Sequence, residues 1–555
     1  MQENSNFKDI IKSERFIETA ILILFVSIFI FLKLAQPLNY ELSHQYPTFY
    51  NANDNFGNGY SMPQYVKEVG NFKYEPPNTV SGFKDVVGYY PPLQSHLGAM
   101  ASIITGVETY DATNIIAILF SIPPFILIYF VIRRYSKELA ILSLPFMLGI
   151  FNFNFEVERA FGQWIYITGA LFLASVVWLA DRLHAKYSSI FLAILLTGAA
   201  LGHMSEAIFS AGFLAVFMAL RYLKEKQLDM PALKNVIIGF TMFAIIASYY
   251  LIIFKNSWMV GFQQFSFEVM SVSPIAASLG VKITDFGIVV LLVLAGLLIG
   301  IKQLAFRKKE EFPFTAVIAG IYILIIGYGN YFGLGLRAWQ SRHAWPIYFS
   351  VFCGIVIYSL GAKYFKNWNY KHYAILSVTL IILFSYTHIG MLKGGGLIDQ
   401  DGWNALMWIK NNTPEDANIG YFYGTLPSQP MSLWSTNRIA YIVDLEDYSD
   451  GIKKGIVKDN YTMMQTNEIV NAYYPYRKTL FSYGYHNDTS TYFLYSNDLN
   501  YYVFPLAISA TNNQYVSQYN LMILQELLKQ EKIKETYKNG AYAIFEVIKL
   551  NDTAA

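Results

Sequence analysis

The chain has 555 residues, of which 54% are hydrophobic and 14% charged, with a formal net charge of +2 at pH 7; a soluble domain carries roughly 25% charged residues. That balance indicates a polytopic α-helical membrane protein and gives no support to a nucleic-acid partner, since topology accounts for the basic residues. There is no Walker loop or dinucleotide fingerprint to support nucleotide-driven chemistry, and the single cysteine, Cys353, excludes a disulfide framework or cysteine-rich metal site.

Apolar runs of about 17–22 residues, enough to cross a hydrocarbon core of roughly 30 Å, recur over the first 390 residues. They lie near 16–36, 113–132, 139–153, 163–180, 188–203, 206–220, 235–254, 284–301, 313–331, 344–361 and 373–391, about eleven spans. The pair 188–203 and 206–220 is the least distinct, because only Met204 and Ser205 separate two short runs. The first run is too long for a signal-peptide core, and Lys33-Leu34-Ala35-Gln36-Pro37 offers no small-x-small cleavage site, so it is read as an anchor.

Basic residues set the orientation, because Lys and Arg collect in short cytoplasmic loops. With the N-terminus inside, every cytoplasmic segment is basic, from Lys8, Lys12 and Arg15 through Arg133, Arg134 and Lys137 to Lys363, Lys366 and Lys371. An odd number of spans then puts the C-terminal region outside a multi-pass plasma-membrane protein. Residues 1–393 form the membrane domain, with an exterior loop at 37–112. After the linker Lys393-Gly394-Gly395-Gly396 no spanning run follows, and 394–555 reads as an exterior soluble α/β domain. Its predicted elements are a helix over Trp403–Lys410, strands at Ala417–Tyr423, Arg438–Val443, Thr491–Tyr495, Tyr501–Pro505 and Ala541–Ile548, and a helix near 515–531.

Ionisable residues gather in the exterior loops. Asp54 lies in the polar turn Asn51-Ala52-Asn53-Asp54-Asn55-Phe56-Gly57, followed by Gly88-Tyr89-Tyr90-Pro91-Pro92-Leu93. Taken alone, Asp54 also fits a solvated loop acid or a helix cap. The second loop holds Glu156-Val157-Glu158, two carboxylates spaced to share a cation, with nothing to prefer one over the other. His203 and Glu206 sit in a tight turn near membrane depth, where ionisable groups are costly and often functional, although the two can also simply satisfy each other. The long segment Lys255 to Asp285 contains Glu268 and Ser271-Val272-Ser273-Pro274. Arg337, Arg342 and His343 stand at the exterior head of a later span, where the alternative is an arginine snorkelling to the headgroups with Trp as an anchor.

The order of these pieces, covering most of the chain, resembles the GT-C membrane glycosyltransferases, in particular archaeal or bacterial proteins related to the catalytic subunit of oligosaccharyltransferase. That resemblance implies a GT-C fold and transfer of a sugar or glycan from a polyprenyl-phosphate or diphosphate donor to a glycan, lipid or protein acceptor, with inversion at the sugar carbon. It implies Asp54 as base or metal-bound carboxylate, Glu156 and Glu158 as supporting acids, and Arg342, His343 and Arg337 as the donor-phosphate clamp. His203, Glu206 and Glu268 are candidate substrate contacts, and Asp54, Glu156 and Glu158 would hold Mg2+ or Mn2+ if a metal is used. Two departures bear on the acceptor. Pro274 stands where the family's short loop motif ends in Glu, and Tyr421-Phe422-Tyr423-Gly424 replaces the Trp-Trp-Asp-Tyr-Gly that reads the acceptor sequon. A diverged oligosaccharyltransferase acting on Asn is therefore the second reading. A lipid or solute transporter is the reading from another class, but such proteins place acids or broken helices at mid-membrane.

Overall fold

The structure, a computed structural model, describes residues 13–44, 59–70, 74, 76, 91–148, 163–252, 281–306, 312–332, 334, 338–389, 400–415, 417–423, 436–441, 491–496 and most of 525–547. In chain order its helices are α1 (Glu14–His44), α2 (Met62–Val69), α3 (Leu93–Thr105), α4 (Thr109–Arg133), α5 (Lys137–Ser143), α6 (Trp164–Ala180), α7 (Ser188–Gly202), α8 (Met204–Glu225), α9 (Met230–Ile246), α10 (Val289–Phe306), α11 (Phe314–Gly327), α12 (Trp345–Tyr364), α13 (Tyr370–Ile389) and α14 (Gln400–Asn412). Each apolar run of the sequence overlaps one of them, although only 139–143 of the run 139–153 is in α5 and 149–153 lies outside the described residues. Among the described residues, five segments are long and apolar enough to cross a membrane: Glu14–Leu34 of α1, α4, α8, Ala338–Tyr364 and α13. Helices α6, α7, α9, α10 and α11 are apolar but shorter. Helix α5 tightens into a 3-10 turn over Leu144–Leu148, where Pro145 has no N–H to continue the α-helical ladder.

The helix directions follow from polar contacts at their ends. Glu18, in the first turns of α1, accepts from Tyr129 Oη at 2.6 Å and from Arg133 Nη2 at 2.9 Å at the end of α4, so the two helices are antiparallel. Arg134 Nη1 donates to Asp181 Oδ2 at 3.0 Å. Asp181, just before α7, and Lys224, at the end of α8, line one cavity, so the chain reverses between α7 and α8. A single residue makes that reversal: His203, in extended conformation with φ −160° and ψ 113°. The break thus falls one residue before the expected Met204-Ser205. Between lipid-facing helices, packing of close surfaces replaces water exclusion as the associating force. Here it is carried by aromatic contacts such as Phe29 of α1 on Phe125 of α4, with centroids 4.4 Å apart, and Phe213 of α8 on Tyr322 of α11 at 5.7 Å.

Beyond α14 lies a mixed sheet of β1 (Asn418–Tyr423), β2 (Ile439–Tyr441), β3 (Thr491–Ser496), β4 (Ile533–Asn539) and β5 (Tyr542–Val547) in the order β2-β1-β3-β5-β4. Strand β1 pairs in parallel with β2 and β3, while β5 pairs antiparallel with β3 and β4. Helix α14 packs on the sheet through Trp408 and Tyr537, ring centroids 5.3 Å apart. Arg438 ties helix to sheet: its guanidinium donates to the carbonyl oxygens of Lys410 at 2.7 Å and Thr413 at 2.8 Å, meeting carbonyls that a helix end leaves unpaired. Four of the five predicted strand runs overlap β1, β2, β3 and β5; Tyr501–Pro505 lies outside the described residues, and β4 is an addition.

Candidate functional site

The first turns of α6 are where the sequence-predicted pieces meet. Trp164, 2% exposed, lies so close to Gly59 that a Cβ there would collide with the indole ring. Gly59 opens the helical turn that leads into α2, so only glycine allows the first loop to rest on α6 at this point. The contact joins the residue after the 45–58 stretch to the residues after 149–162. Asp54, Glu156 and Glu158 themselves lie outside the described residues, as do Arg337 and Glu268.

Two residues further along α6, Tyr166 is edge-on to two histidines. Its ring centroid is 6.1 Å from that of His203, with the planes at 88°, and 5.8 Å from that of His343, with the planes at 63°. Gly169 completes the seat, because a Cβ there would stand 2.6 Å from the His203 Cβ and 3.2 Å from the Glu206 Cβ. His203 and Glu206 are thereby pressed onto the α6 backbone. Their side chains bond each other, Nδ1 to the carboxylate; since a carboxylate only accepts, Nδ1 is the donor. Glu206 is 1% exposed, and a carboxylate so enclosed needs such a partner. Tyr348 of α12 is within electrostatic range of Glu206, and its buried hydroxyl has no hydrogen-bond partner among the described residues.

Arg342 and His343 occupy a 3-10 helix, Ala338–Ala344, that runs directly into α12. The Arg342 side chain is enclosed by protein, 3% exposed, and its Nε donates to the Trp339 carbonyl at 3.1 Å. A snorkelling arginine keeps its head in water, so burial removes that alternative. Tyr328, Tyr331 and Asp285 are the electrostatic neighbours of the guanidinium. Trp339 packs edge-on to His343 at 6.0 Å. Through Tyr166 the arginine-histidine turn and the His203–Glu206 turn belong to one cluster.

Residues not singled out in the sequence hold this region together. Gln94, at the start of α3 just past the Pro91-Pro92 step, is wholly buried. Its Nε2 donates to the Thr113 carbonyl of α4 at 3.1 Å, and its Oε1 accepts from Thr168 Oγ1 of α6. Thr109 donates to Gln64 of α2 at 2.6 Å, and Lys67 to Ser102 of α3 at 3.0 Å. His96 bonds the Pro92 carbonyl at 3.0 Å; burial pushes its imidazole below the usual histidine range, with that hydrogen bond acting in the opposite direction. The α14 helix reaches the same place, with Lys410 Nζ 3.3 Å from Tyr60 Oη. No group of three or more His, Cys, Asp or Glu that could hold a metal occurs among the described residues; the three acids expected to do so fall outside them.

No family model matches the sequence, and no curated protein matches it by sequence. Solved structures do match in shape. The archaeal oligosaccharyltransferase AglB from Archaeoglobus fulgidus, in complex with an inhibitory peptide and a dolichol-phosphate, is 13% identical, with a TM-score of 0.53 over 87% of this chain and 70% of that one. The same organism's oligosaccharyltransferase in complex with Zn and sulfate is 14% identical, with a TM-score of 0.53 over 86% and 68%. ArnT from Cupriavidus metallidurans, bound to undecaprenyl phosphate, is 10% identical, with a TM-score of 0.54 over 96% and 98%. At such identities the likeness is one of architecture: this chain shares the fold of AglB and ArnT.

Proposed function

We propose that the protein is an integral-membrane glycosyltransferase that moves a sugar or glycan from a polyprenyl-phosphate-linked donor to an acceptor at the end of the bundle where α6 begins. The observation that carries this reading is the convergence on α6: the first loop at Gly59, the second-loop end at Trp164, the His203–Glu206 pair and the Arg342–His343 turn all meet within its first two turns. At about 3.6 Å per residue, chain length alone keeps Asp54 within roughly 18 Å of Gly59 and Glu158 within roughly 22 Å of Trp164. The AglB and ArnT structures hold dolichol-phosphate and undecaprenyl phosphate, which supports a lipid phosphate as the donor carrier.

In this reading the acceptor nucleophile attacks the anomeric carbon and the C1–O bond to phosphate breaks, its electron pair leaving on the lipid phosphate. Asp54 takes the acceptor proton or binds a divalent cation, with Glu156 and Glu158 in support. Arg342, with His343 and Arg337, offsets the charge growing on the departing phosphate; a buried guanidinium suits this, because donors fixed in a water-poor site act strongly and need no reorganisation. His203, Glu206 and Glu268 contact substrate. Mg2+ or Mn2+ is the metal this donor set suits, held through carboxylate oxygens. A second reading, transfer to a protein Asn, is favoured by the AglB structures, one of which is tethered to an acceptor peptide containing an NVT sequon. Mass spectrometry of surface glycans and of lipid-linked sugars, with and without the gene, tests the proposal. The expected result is loss of a sugar from the glycans and accumulation of its lipid-linked form; unchanged levels of both would overturn it.

A further inference from the structure

We infer that the end of the bundle where α6 begins reads the sugar as well as the phosphate: Gln163 and Gln340, with Asn330 beside them, take the hydroxyl groups of an uncharged hexose on the lipid carrier. The inference rests on the reading of this end as the donor site. Gln163 directly precedes α6 and makes no side-chain bond to its first turn, while its backbone carbonyl accepts from the Ile167 N–H at 3.1 Å. It therefore stands one turn before Tyr166, on the face that residues three apart share. Gln340 stands three residues before His343 in the 3-10 helix Ala338–Ala344, where residues three apart are in line. Those two faces meet at the Tyr166–His343 contact. The helices also run the same way: α6 ends at Asp181, which Arg134 engages, and α12 leads to the turn before Tyr370, whose ring lies against Lys137, three residues on from Arg134. The two amides thus bracket the ring contact from the same side, toward the loops.

Gln340 is 4% exposed and Gln163 8%, yet the side-chain carbonyl oxygen of each is enclosed without a hydrogen-bond partner among the described residues. Asn330 adds a third amide. It follows Gly329, where a Cβ would stand 3.3 Å from the Ala338 Cβ that begins the same 3-10 helix, and both of its polar side-chain atoms are enclosed and unpartnered in the same way. Neighbouring donors of the turn are directed elsewhere, Ser341 Oγ to the Ala338 carbonyl at 2.7 Å and Arg342 Nε to that of Trp339 at 3.1 Å. One enclosed amide oxygen of this kind, as at Gln303 near the far end of α10, is ordinary; three around one turn cost stability unless a ligand meets them. A hydroxyl both donates and accepts, so a hexose ring can meet the amide oxygens and the Asn330 nitrogen together. A uronate carboxylate only accepts and would leave the oxygens unmet, and an enclosed ammonium calls for a carboxylate rather than an amide. Arg342, two residues from Gln340, is the proposed phosphate contact, and the sugar joined to that phosphate lies beside these amides.

Competition against labelled undecaprenyl phosphate, with the full chain in detergent micelles, tests this. The competitors are the bare carrier and its glucosyl, galactosyl, mannosyl, glucuronosyl and glucosaminyl forms. The expected result is that one neutral hexose form binds at least about ten-fold more tightly than the bare carrier and than either charged sugar form. Gln163→Leu and Gln340→Leu should each remove about ten-fold of that advantage and leave bare-carrier affinity within about two-fold. Gln340→Met, closer in shape, carries the test if the leucine variant folds poorly. Gln303→Leu removes the same kind of amide at the other end of α10 and should keep the advantage. Equal affinity for all sugar forms and the bare carrier, a preference for a charged sugar, or an advantage that survives in both the Gln163 and Gln340 variants would overturn the sugar site while the donor reading stands. Absence of saturable binding by the bare carrier and every sugar form alike would overturn the donor reading, and this inference with it.

Discussion

Arg342 is a guanidinium enclosed in protein beside His343, and burial of this kind makes its chemistry specific. Arg342→Lys keeps the charge but loses the planar fork that meets a phosphate in two places. Transfer should fall at least about ten-fold, with membrane insertion unchanged; wild-type activity across donor concentrations in this variant would return the residue to a structural role. Glu206 makes a different prediction. Removing it leaves His203 buried against α6 without its acceptor, so Glu206→Ala should lower unfolding stability by about 1–3 kcal/mol, read as a lower midpoint in detergent, while Glu206→Gln should lose less. The ionisable members of this cluster were legible in the sequence, because charged or titratable groups at the edges of apolar runs stand out. Tyr166, Trp164 and Gln94 were not, since an aromatic or amide beside an apolar run has the same appearance in an interfacial belt or a core. Their roles depend on which distant segment each one faces.

At the scale of elements, the seat of His203 on α6 rests on the absence of a side chain at Gly169. Gly169→Ala would press a methyl into the His203 Cβ at 2.6 Å, and overpacking of this kind costs about 1–3 kcal/mol. Because the α6 and α8 backbones would have to part, donor turnover should fall together with stability; an unchanged midpoint and rate would mean that the seat is loose. The helices themselves follow from apolar runs, which local composition displays without knowledge of partners. The break between α7 and α8 was expected one residue late, because His203 looks like the end of a helix until Gly169 is known to receive it. Strand β4 escaped notice for a different reason: Lys534, Glu535 and Lys538 give it the charged face of an edge strand, and only Ile533 is buried. Charged edges of this kind protect a sheet and hide it from a search for apolar alternation. The contact of α14 with Tyr60 also joins segments 350 residues apart, which no local pattern encodes.

For the whole molecule, the basic loops predict that residues 394–555 lie outside the cytoplasm. Protease added to sealed right-side-out vesicles should remove that region; full protection would reverse the assigned orientation and with it the face on which α6 begins. Pro274 and Tyr421-Phe422-Tyr423-Gly424 predict that an Asn-x-Thr peptide is a poor acceptor, and that a chelator has little effect unless Asp54 with Glu156 or Glu158 suffices to hold the cation. Efficient, chelator-sensitive glycosylation of the peptide would favour the oligosaccharyltransferase reading. The central claim is that lipid-linked sugar is consumed where the first loop meets α6. Its most direct test is release of free polyprenyl phosphate from a labelled polyprenyl-phosphate sugar by the purified wild type and by Asp54→Asn, with unfolding midpoints measured on both. The account predicts release by the wild type and a rate at least about 10²-fold lower in the variant at an unchanged midpoint; near-normal release by Asp54→Asn would contradict it.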